Sequence, residues 1–343
     1  MNQLNQRKGL HIIFLLLLFP LIIYSQEGGG IFSKDIDTAY IEDYTGWLTT
    51  RAYILYQDAA FNVSTDEISN IIFKPNTNVK VGIAGFYKWF GLGLSINNPF
   101  FHFDEEEYGK TSAIDFRVNF FGRAVAAEAF LQNFRGFYIT NVKPETEARY
   151  IIPDMNLFSM GAYGYWIPNS LRFSIRAAFL QNERQKKSAG SIMVRPGFTY
   201  YELSSDNGII PPELQQRFHI RNSEMVTGGK FYSFSLAPGY SYTFIFLKNA
   251  YVNLAAFPGV SFTSYVYQTR VNEFAGQDFM FFISLRAALG YNSRKWYVGG
   301  AVITGFNDMN TYWSSSSFFF DLSQFRIWGG LRFDLFRRKR NNS

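Results

Sequence analysis

The 343-residue sequence has no cysteine and only three histidines. Without cysteine there is neither a disulfide framework nor a thiol for lipid attachment. The histidines are His11, His102 and His219. Hydrolases built on membrane barrels generally need a histidine set beside a serine or a carboxylate. His102 stands in "NNPFFHFDEEEYGK", while His219 lies between Arg217 and Arg221, whose charges disfavour proton uptake. Nucleophile-elbow, zinc-protease and calcium-loop motifs are absent as well, so neither an enzyme nor a cofactor is expected. Charge is scarce at 17% of residues, and the net +6 comes from scattered rather than clustered cations. Nucleic acid is therefore not an expected partner. Beyond residue 25 no apolar run approaches the roughly 20 residues that a membrane helix needs.

Aromatic residues are abundant, at 19%, with 38 Phe and 22 Tyr. The first 25 residues have the form of an export signal: Arg7 and Lys8, then "LHIIFLLLLFPLIIY", then Ser25 before Gln26. Residues 26–46 are expected to be a periplasmic N-terminal segment, read as a linker in preference to a plug folded into a lumen. The stretch "VKVGIAGFYKWFGLGLSI" (79–96) is long enough for a membrane helix but too rich in glycine. Val79, Val81 and Ile83 alternate with Lys80, Gly82 and Ala84, and Leu92, Leu94 and Ile96 alternate with Gly91, Gly93 and Ser95. Period two on both sides of a short turn predicts a hairpin with one aliphatic and one small or polar face.

Twelve such segments are expected: 47–57, 78–87, 90–98, 111–122, 124–136, 155–166, 170–181, 231–245, 249–263, 278–290, 295–305 and 324–336. Short turns at 87–89, 122–123, 167–169, 247–249 and 292–295 alternate with long polar connections at 58–77, 99–110, 137–154, 182–230, 264–277 and 306–323. That parity predicts an all-β fold, a single antiparallel outer-membrane barrel over residues 47–336, with tight periplasmic turns and longer external loops. Two further alternating stretches, 190–203 and 311–322, would make fourteen strands; they are assigned to external loops or strand extensions. The final strand ends on Phe336 and is followed by a basic tail, 337–343.

Several stretches together resemble a Bacteroidota outer-membrane barrel family described as a domain of unknown function: "DTAYIEDYTGWLTTRAY" (37–53), "KPNTNVKVGIAGFYKWFGLGLS" (74–95), "DFRVNFFGR" (115–123), "AFLQNFRGFYI" (129–139) and "QKKSAGS" (185–191). The resemblance implies location and fold, and no activity.

The inward faces carry the functional signal. The alternation places Arg51, Lys80, Arg117, Arg172, Arg176, Arg286, Arg326 and Arg332 in the lumen, against Asp115, Glu128 and Asp334. Such an excess favours anions in a narrow passage, unless the arginines only brace a closed interior. The expected role is a narrow, anion-leaning channel or small-solute uptake protein, with Arg117, Arg172, Arg176, Arg286 and Arg332 as the positive lining beside Asp115 and Glu128. The alternatives are a scaffold with a filled lumen, docking an envelope protein through external segment 182–230, and an enzyme facing the lumen or rim. The expected surroundings are outer-membrane lipid and lipopolysaccharide, with a small anionic solute as cargo. The acidic run Asp104–Glu107 could ligate calcium or magnesium but reads as a solvated loop, so no metal is expected.

Overall fold

The computed structural model describes residues 35–65, 71–76, 79–97, 104–142, 149–217, 219, 225–306, 310–313 and 316–334. The expected leader (1–25), His102, Phe336 and the basic tail lie outside these residues. The strands in chain order are β1 (Ile41–Asp43), β2 (Leu48–Thr65), β3 (Ile71–Lys74), β4 (Val79–Tyr87), β5 (Phe90–Asn97), β6 (Ser112–Phe121), β7 (Val125–Ile139), β8 (Ile151–Trp166), β9 (Glu183–Gln185), β10 (Ala189–Ser204), β11 (Val226–Phe246), β12 (Ala250–Thr269), β13 (Glu273–Asn292), β14 (Trp296–Phe306), β15 (Asn310–Trp313) and β16 (Ser316–Phe333). Three short helices are α1 (Glu105–Tyr108), α2 (Ile175–Phe179) and α3 (Pro212–Arg217).

Twelve of these strands form one closed antiparallel barrel, in the order β2, β4, β5, β6, β7, β8, β10, β11, β12, β13, β14, β16 and back to β2. The closing ladder runs from Phe333 opposite Leu48 to Ser316 opposite Thr65. Period two decides which way each residue points. On β5 the side chains of Phe90, Leu92, Leu94 and Ile96 are exposed on the outside, while Ser95 is buried inside. On β4 Ile83 faces out at 69% exposure and Lys80 faces in at 0%. Trp89, Trp166, Phe246 and Trp296 form an exposed aromatic belt at the end with tight turns, as expected where an outer wall meets a lipid headgroup layer. Among the described residues no helix is long and apolar enough to cross a membrane. The wall crosses with strands, and a closed barrel leaves no unpaired edge in lipid.

Eleven of the expected strands stand where the alternation puts them; the seventh does not. Residues 170–181 hold the turn before α2 and α2 itself, not a strand. The seventh spanning strand is β10, which covers the stretch 190–203 that was expected to be external. It pairs with β8 on one side and β11 on the other. Pro196 on β10 has no N–H to give, and the β8–β10 ladder skips Arg195 and Pro196 between the pairs Val194–Trp166 and Gly197–Tyr163. Gly164 on β8 leaves room there for the Pro196 ring. The external segment 182–230 is thereby reduced to the connection after β10.

The wall is uneven in height. β4 and β5 have nine and eight residues, whereas β11, β12 and β13 have 21, 20 and 20. Twenty residues extend about 65 Å along a strand, well past an apolar band of about 25 Å even when tilted. The expected long connection 264–277 is mostly such an extension, with β12 and β13 joined by only residues 270–272. Above the short strands, β3 fills the gap: it pairs with β2 at Phe61–Val63 and with β7 at Ile139 and Tyr138. An apolar core packs inside this upper part of the barrel. Phe61, Val63, Ile71, Phe73, Phe134, Phe137, Met155, Leu203 and Phe231 are all nearly inaccessible, and Ile209, Ile210 and Leu214 from the segment around α3 join them.

Candidate functional site

At the end with tight turns, the 22-residue connection 167–188 between β8 and β10 folds back into the lumen instead of turning directly. Ser174 caps α2 by accepting from the Ala177 N–H at 3.0 Å, and its own hydroxyl donates to Glu183 at 2.6 Å. The plug's apolar face, Phe173, Ile175, Ala178 and Leu180, packs against inward residues of the wall such as Phe86, Tyr165, Phe257 and Trp328. The N-terminal segment belongs to this plug. β1 pairs with β9, Ile41 opposite Gln185 and Asp43 opposite Glu183, and Ile41 and Tyr44 are buried. The expectation of a linker is therefore corrected for residues 37–45, which pack as part of the lumen filling. Burial pushes the Tyr44 phenol up to about 12, so it is neutral and lies 4.3 Å from the Arg332 guanidinium as an aromatic support.

Polar side chains lock the plug to the wall. Glu183, fully buried, bridges Arg123 of the β6–β7 turn at 2.9 Å and Arg176 of α2 at 3.0 Å. Arg176 also donates to the carbonyls of Phe121 and Gly122. Arg332 donates to the Gln181 carbonyl at 2.9 Å, to Asn292 Oδ1 at 2.6 Å and to the Ser293 carbonyl. Gln181 has a left-handed backbone (φ 59°), a strained state for a residue with a side chain. It is held there by Trp328 Nε1 and, at 3.0 Å, by Tyr251 Oη.

Between the plug and the apolar core lies a cavity of about 130 Å³ whose walls include Arg51, Arg117, Arg195, Arg286 and Arg326, with Glu128 as the carboxylate among its lining residues. Phe179 and Leu180 of the plug close one side. Arg117 holds Asp115 through two bonds of 2.8 and 3.0 Å, and Gln132 donates to the same carboxylate. Lys80 donates to Gln57 at 3.1 Å and rests 4.2 Å from the Phe134 ring. Arg286 approaches Glu128 at 3.6 Å, and Tyr165 donates to Glu128 at 3.1 Å. Arg51 donates to the Phe179 carbonyl at 2.7 Å and lies against Phe86 and Trp328. Arg326 lies 4.9 Å from the Tyr53 ring and Arg195 4.7 Å from the Tyr163 ring. Among the described residues no carboxylate comes within ion-pair distance of Arg51 or Arg326, and the Nε of Arg51, Arg286 and Arg326 is buried without a hydrogen-bond acceptor. Four buried cations, Arg51, Lys80, Arg195 and Arg286, and two half-buried ones, Arg117 and Arg326, thus stand in or beside the chamber, with Asp115 and Glu128 as the carboxylates paired to them among the described residues. A guanidinium held on aromatic rings in a low-dielectric setting keeps most of its field.

The expected lining divides accordingly. Arg117 and Arg286 line the chamber, beside Asp115 and Glu128. Arg176 and Arg332 fasten the plug. Arg172 is not on a strand at all: its side chain is 60% exposed at the plug's outer end, 3.5 Å from Asp37. Asp334 is exposed at the barrel rim. Arg195 and Glu183 were missed because both lie in the stretch 182–230, which was read as an external connection. Arg51 and Arg326 were legible as inward-facing from the alternation alone. Away from the lumen, Asp104 caps α1 and Glu107 pairs with Arg149 at 3.2 Å, while His219 is exposed.

A family model described as Domain of unknown function (DUF4421) matches residues 35–329. No curated protein matches the chain. Among solved structures, the chain is similar to the outer membrane protease OmpT from Escherichia coli (9% identity, 84% of this chain and 96% of that one, TM-score 0.35). It is similar too to the translocator domain of the autotransporter NalP from Neisseria meningitidis (12%, 97% and 100%, TM-score 0.35) and to the toluene transporter TodX from P. putida (8%, 85% and 91%, TM-score 0.30). The likeness does not reach beyond barrel architecture.

Proposed function

The chain belongs to this family of unknown function, and for it we propose the role of an outer-membrane barrel that admits small anionic solutes through a plugged lumen, without catalysis. The observation that carries the reading is the charge balance of the chamber: Arg51, Lys80, Arg117, Arg195, Arg286 and Arg326 against Asp115 and Glu128. Arg51 and Arg326 have no carboxylate within ion-pair distance among the described residues, and a barrel filled only for rigidity gains nothing from such cations, since well-packed apolar residues fill the same space at less cost. The outward apolar face and aromatic belt support residence in a bilayer, with the plug at the periplasmic end because the tight turns and both strand termini lie there. Arg51 joins the chamber to the plug through the Phe179 carbonyl, so displacing α2 would free one of the cations that face the solute.

A second reading, an interaction barrel with a permanently closed lumen, is favoured by the apolar core of the upper barrel and the hydrogen-bonded plug. Planar-bilayer recording decides between them. The purified protein should rest closed or nearly so, and Glu183→Ala, which unfastens the plug, should produce anion-selective openings. Silence from both proteins would sink the transport reading and leave the closed barrel.

A further inference from the structure

The chamber carries more than a positive field, because one carboxylate faces it. We propose that it is a saturable site for a small oxyanion that still bears a proton, of the monohydrogen phosphate class, and that Glu128 is the residue that recognises that proton. This rests on the reading of the barrel as an anion-admitting one.

Size is the first constraint. A water occupies at least about 10–15 Å³ of such space, so a cavity of about 130 Å³ holds an anion of five heavy atoms with some of its water, and excludes a nucleotide or an oligosaccharide. Charge is the second. Arg117 is engaged by Asp115 through both of its bonds, whereas Arg51 and Arg326 have no carboxylate partner among the described residues. Arg326 stands near Arg51 and Arg117, like charge beside like charge, an arrangement that a multiply charged anion relieves. Guanidinium forks match the oxygen pairs of phosphate.

The third constraint is the placement of Glu128. One of its oxygens is taken up by the Tyr165 hydroxyl and approached by Arg286, both at Oε2. An ionised carboxylate only accepts hydrogen bonds. It therefore repels a fully deprotonated anion such as sulfate, but accepts from the P–OH of monohydrogen phosphate. Discrimination of this kind works by penalising the wrong ligand as much as by rewarding the right one.

Isothermal titration of the full-length protein in detergent, with inorganic phosphate and then sulfate as probes, tests the assignment. Phosphate should bind one site per chain, at least tenfold more tightly than sulfate. Glu128→Gln should bring the two anions to within threefold of each other, since glutamine can donate to sulfate, and Arg326→Gln should weaken both by tenfold or more. Folding of each variant is checked by its heat-modifiable mobility on gels, and the phosphate-to-sulfate ratio of the unaltered protein needs no variant at all. Saturable binding with equal affinities, unchanged in Glu128→Gln, would overturn the role of Glu128. No saturable binding of either anion, by the unaltered protein or by the plug-released Glu183→Ala protein, would overturn the site, while anion-selective openings of Glu183→Ala would leave the transport reading standing.

Discussion

Two layers of the same lumen, only a helix apart, treat buried arginine in opposite ways. In the plug, Arg123 and Arg176 share Glu183, and Arg332 meets the carbonyls of Gln181 and Ser293. In the chamber, Arg51 and Arg326 rest on the rings of Phe86, Trp328 and Tyr53, with no carboxylate within ion-pair distance among the described residues. Matched charge holds a segment in place; unmatched charge is free to hold something else. If this contrast is real, removing a charge from the plug should cost stability, and removing one from the chamber should cost selectivity.

The largest effect is expected at Glu183. Glu183→Ala leaves two buried cations without their carboxylate, a change that typically costs about 3–5 kcal/mol. Because the segment 167–188 lies inside a wall that has its own ladders, the loss should appear as release of the plug more than as unfolding of the barrel. Limited proteolysis should cut within 167–188 in the variant and spare the parent, with the barrel still heat-modifiable. An uncut plug would mean that Phe173, Ile175 and Leu180 hold the segment without help from charge.

The outer wall supplies the next comparison. Leu94→Arg puts a cation on the lipid face of β5 and should cost about 2–4 kcal/mol near the midplane, measured by chemical unfolding in vesicles. Arg117, on the neighbouring strand β6 and opposite Gly93, points the other way and pairs with Asp115. A negligible cost at Leu94 would mean that this face is not in lipid, and would undo the register on which the chamber depends.

The barrel itself was legible because a strand between lipid and lumen has two unlike faces, and period two records them. That is why Lys80 and Ile83 on β4 could be given opposite faces from the sequence. The plug was not legible for the same reason. In "LRFSIRAAF" (171–179), Phe173 and Ile175 alternate with Arg172 and Arg176, which imitates a strand, but a segment inside the lumen is enclosed on every side. Phe173, Ile175, Arg176, Ala177 and Ala178 are all buried, and no period survives. β10 was hidden by that imitation: with 170–181 taken as the seventh strand, counting 190–203 as spanning too would have put the short turns at 247–249 and 292–295 on the outside. Arg195 went unnoticed with it. Arg117, Arg286, Asp115 and Glu128 were within reach of the alternation; Glu183, on a three-residue strand inside the plug, was not.

Within the chamber the sign of the stability change is the test. Arg326→Gln removes a half-buried cation that has no acid partner among the described residues, so the thermal midpoint should stay level or rise, by no more than about 1 kcal/mol equivalent. Anion preference in the Glu183→Ala background should fall at the same time. A large destabilisation would show that Arg326 is part of the fastening after all, through its packing on Tyr53, and the distinction between the two layers would fail at that residue.

The smallest effect belongs to Arg172. The sequence placed it beside Arg176 as lumen lining, whereas the structure leaves it 60% exposed beside Asp37, with an N–O distance of 3.5 Å. An exposed pair of that length is screened by water and salt and contributes at most a few tenths of a kcal/mol. Arg172→Gln should therefore shift neither the unfolding midpoint nor the selectivity of plug-released openings. Arg176→Gln, four residues along, breaks the bond to Glu183 and to the β6–β7 turn and should release the plug. Side by side the two variants separate position in the lumen from mere spacing in the sequence. If Arg172→Gln altered selectivity as strongly as Arg326→Gln does, the solute's path would have to pass the plug's outer end, and the chamber would be one station of several instead of the place where the anion is chosen.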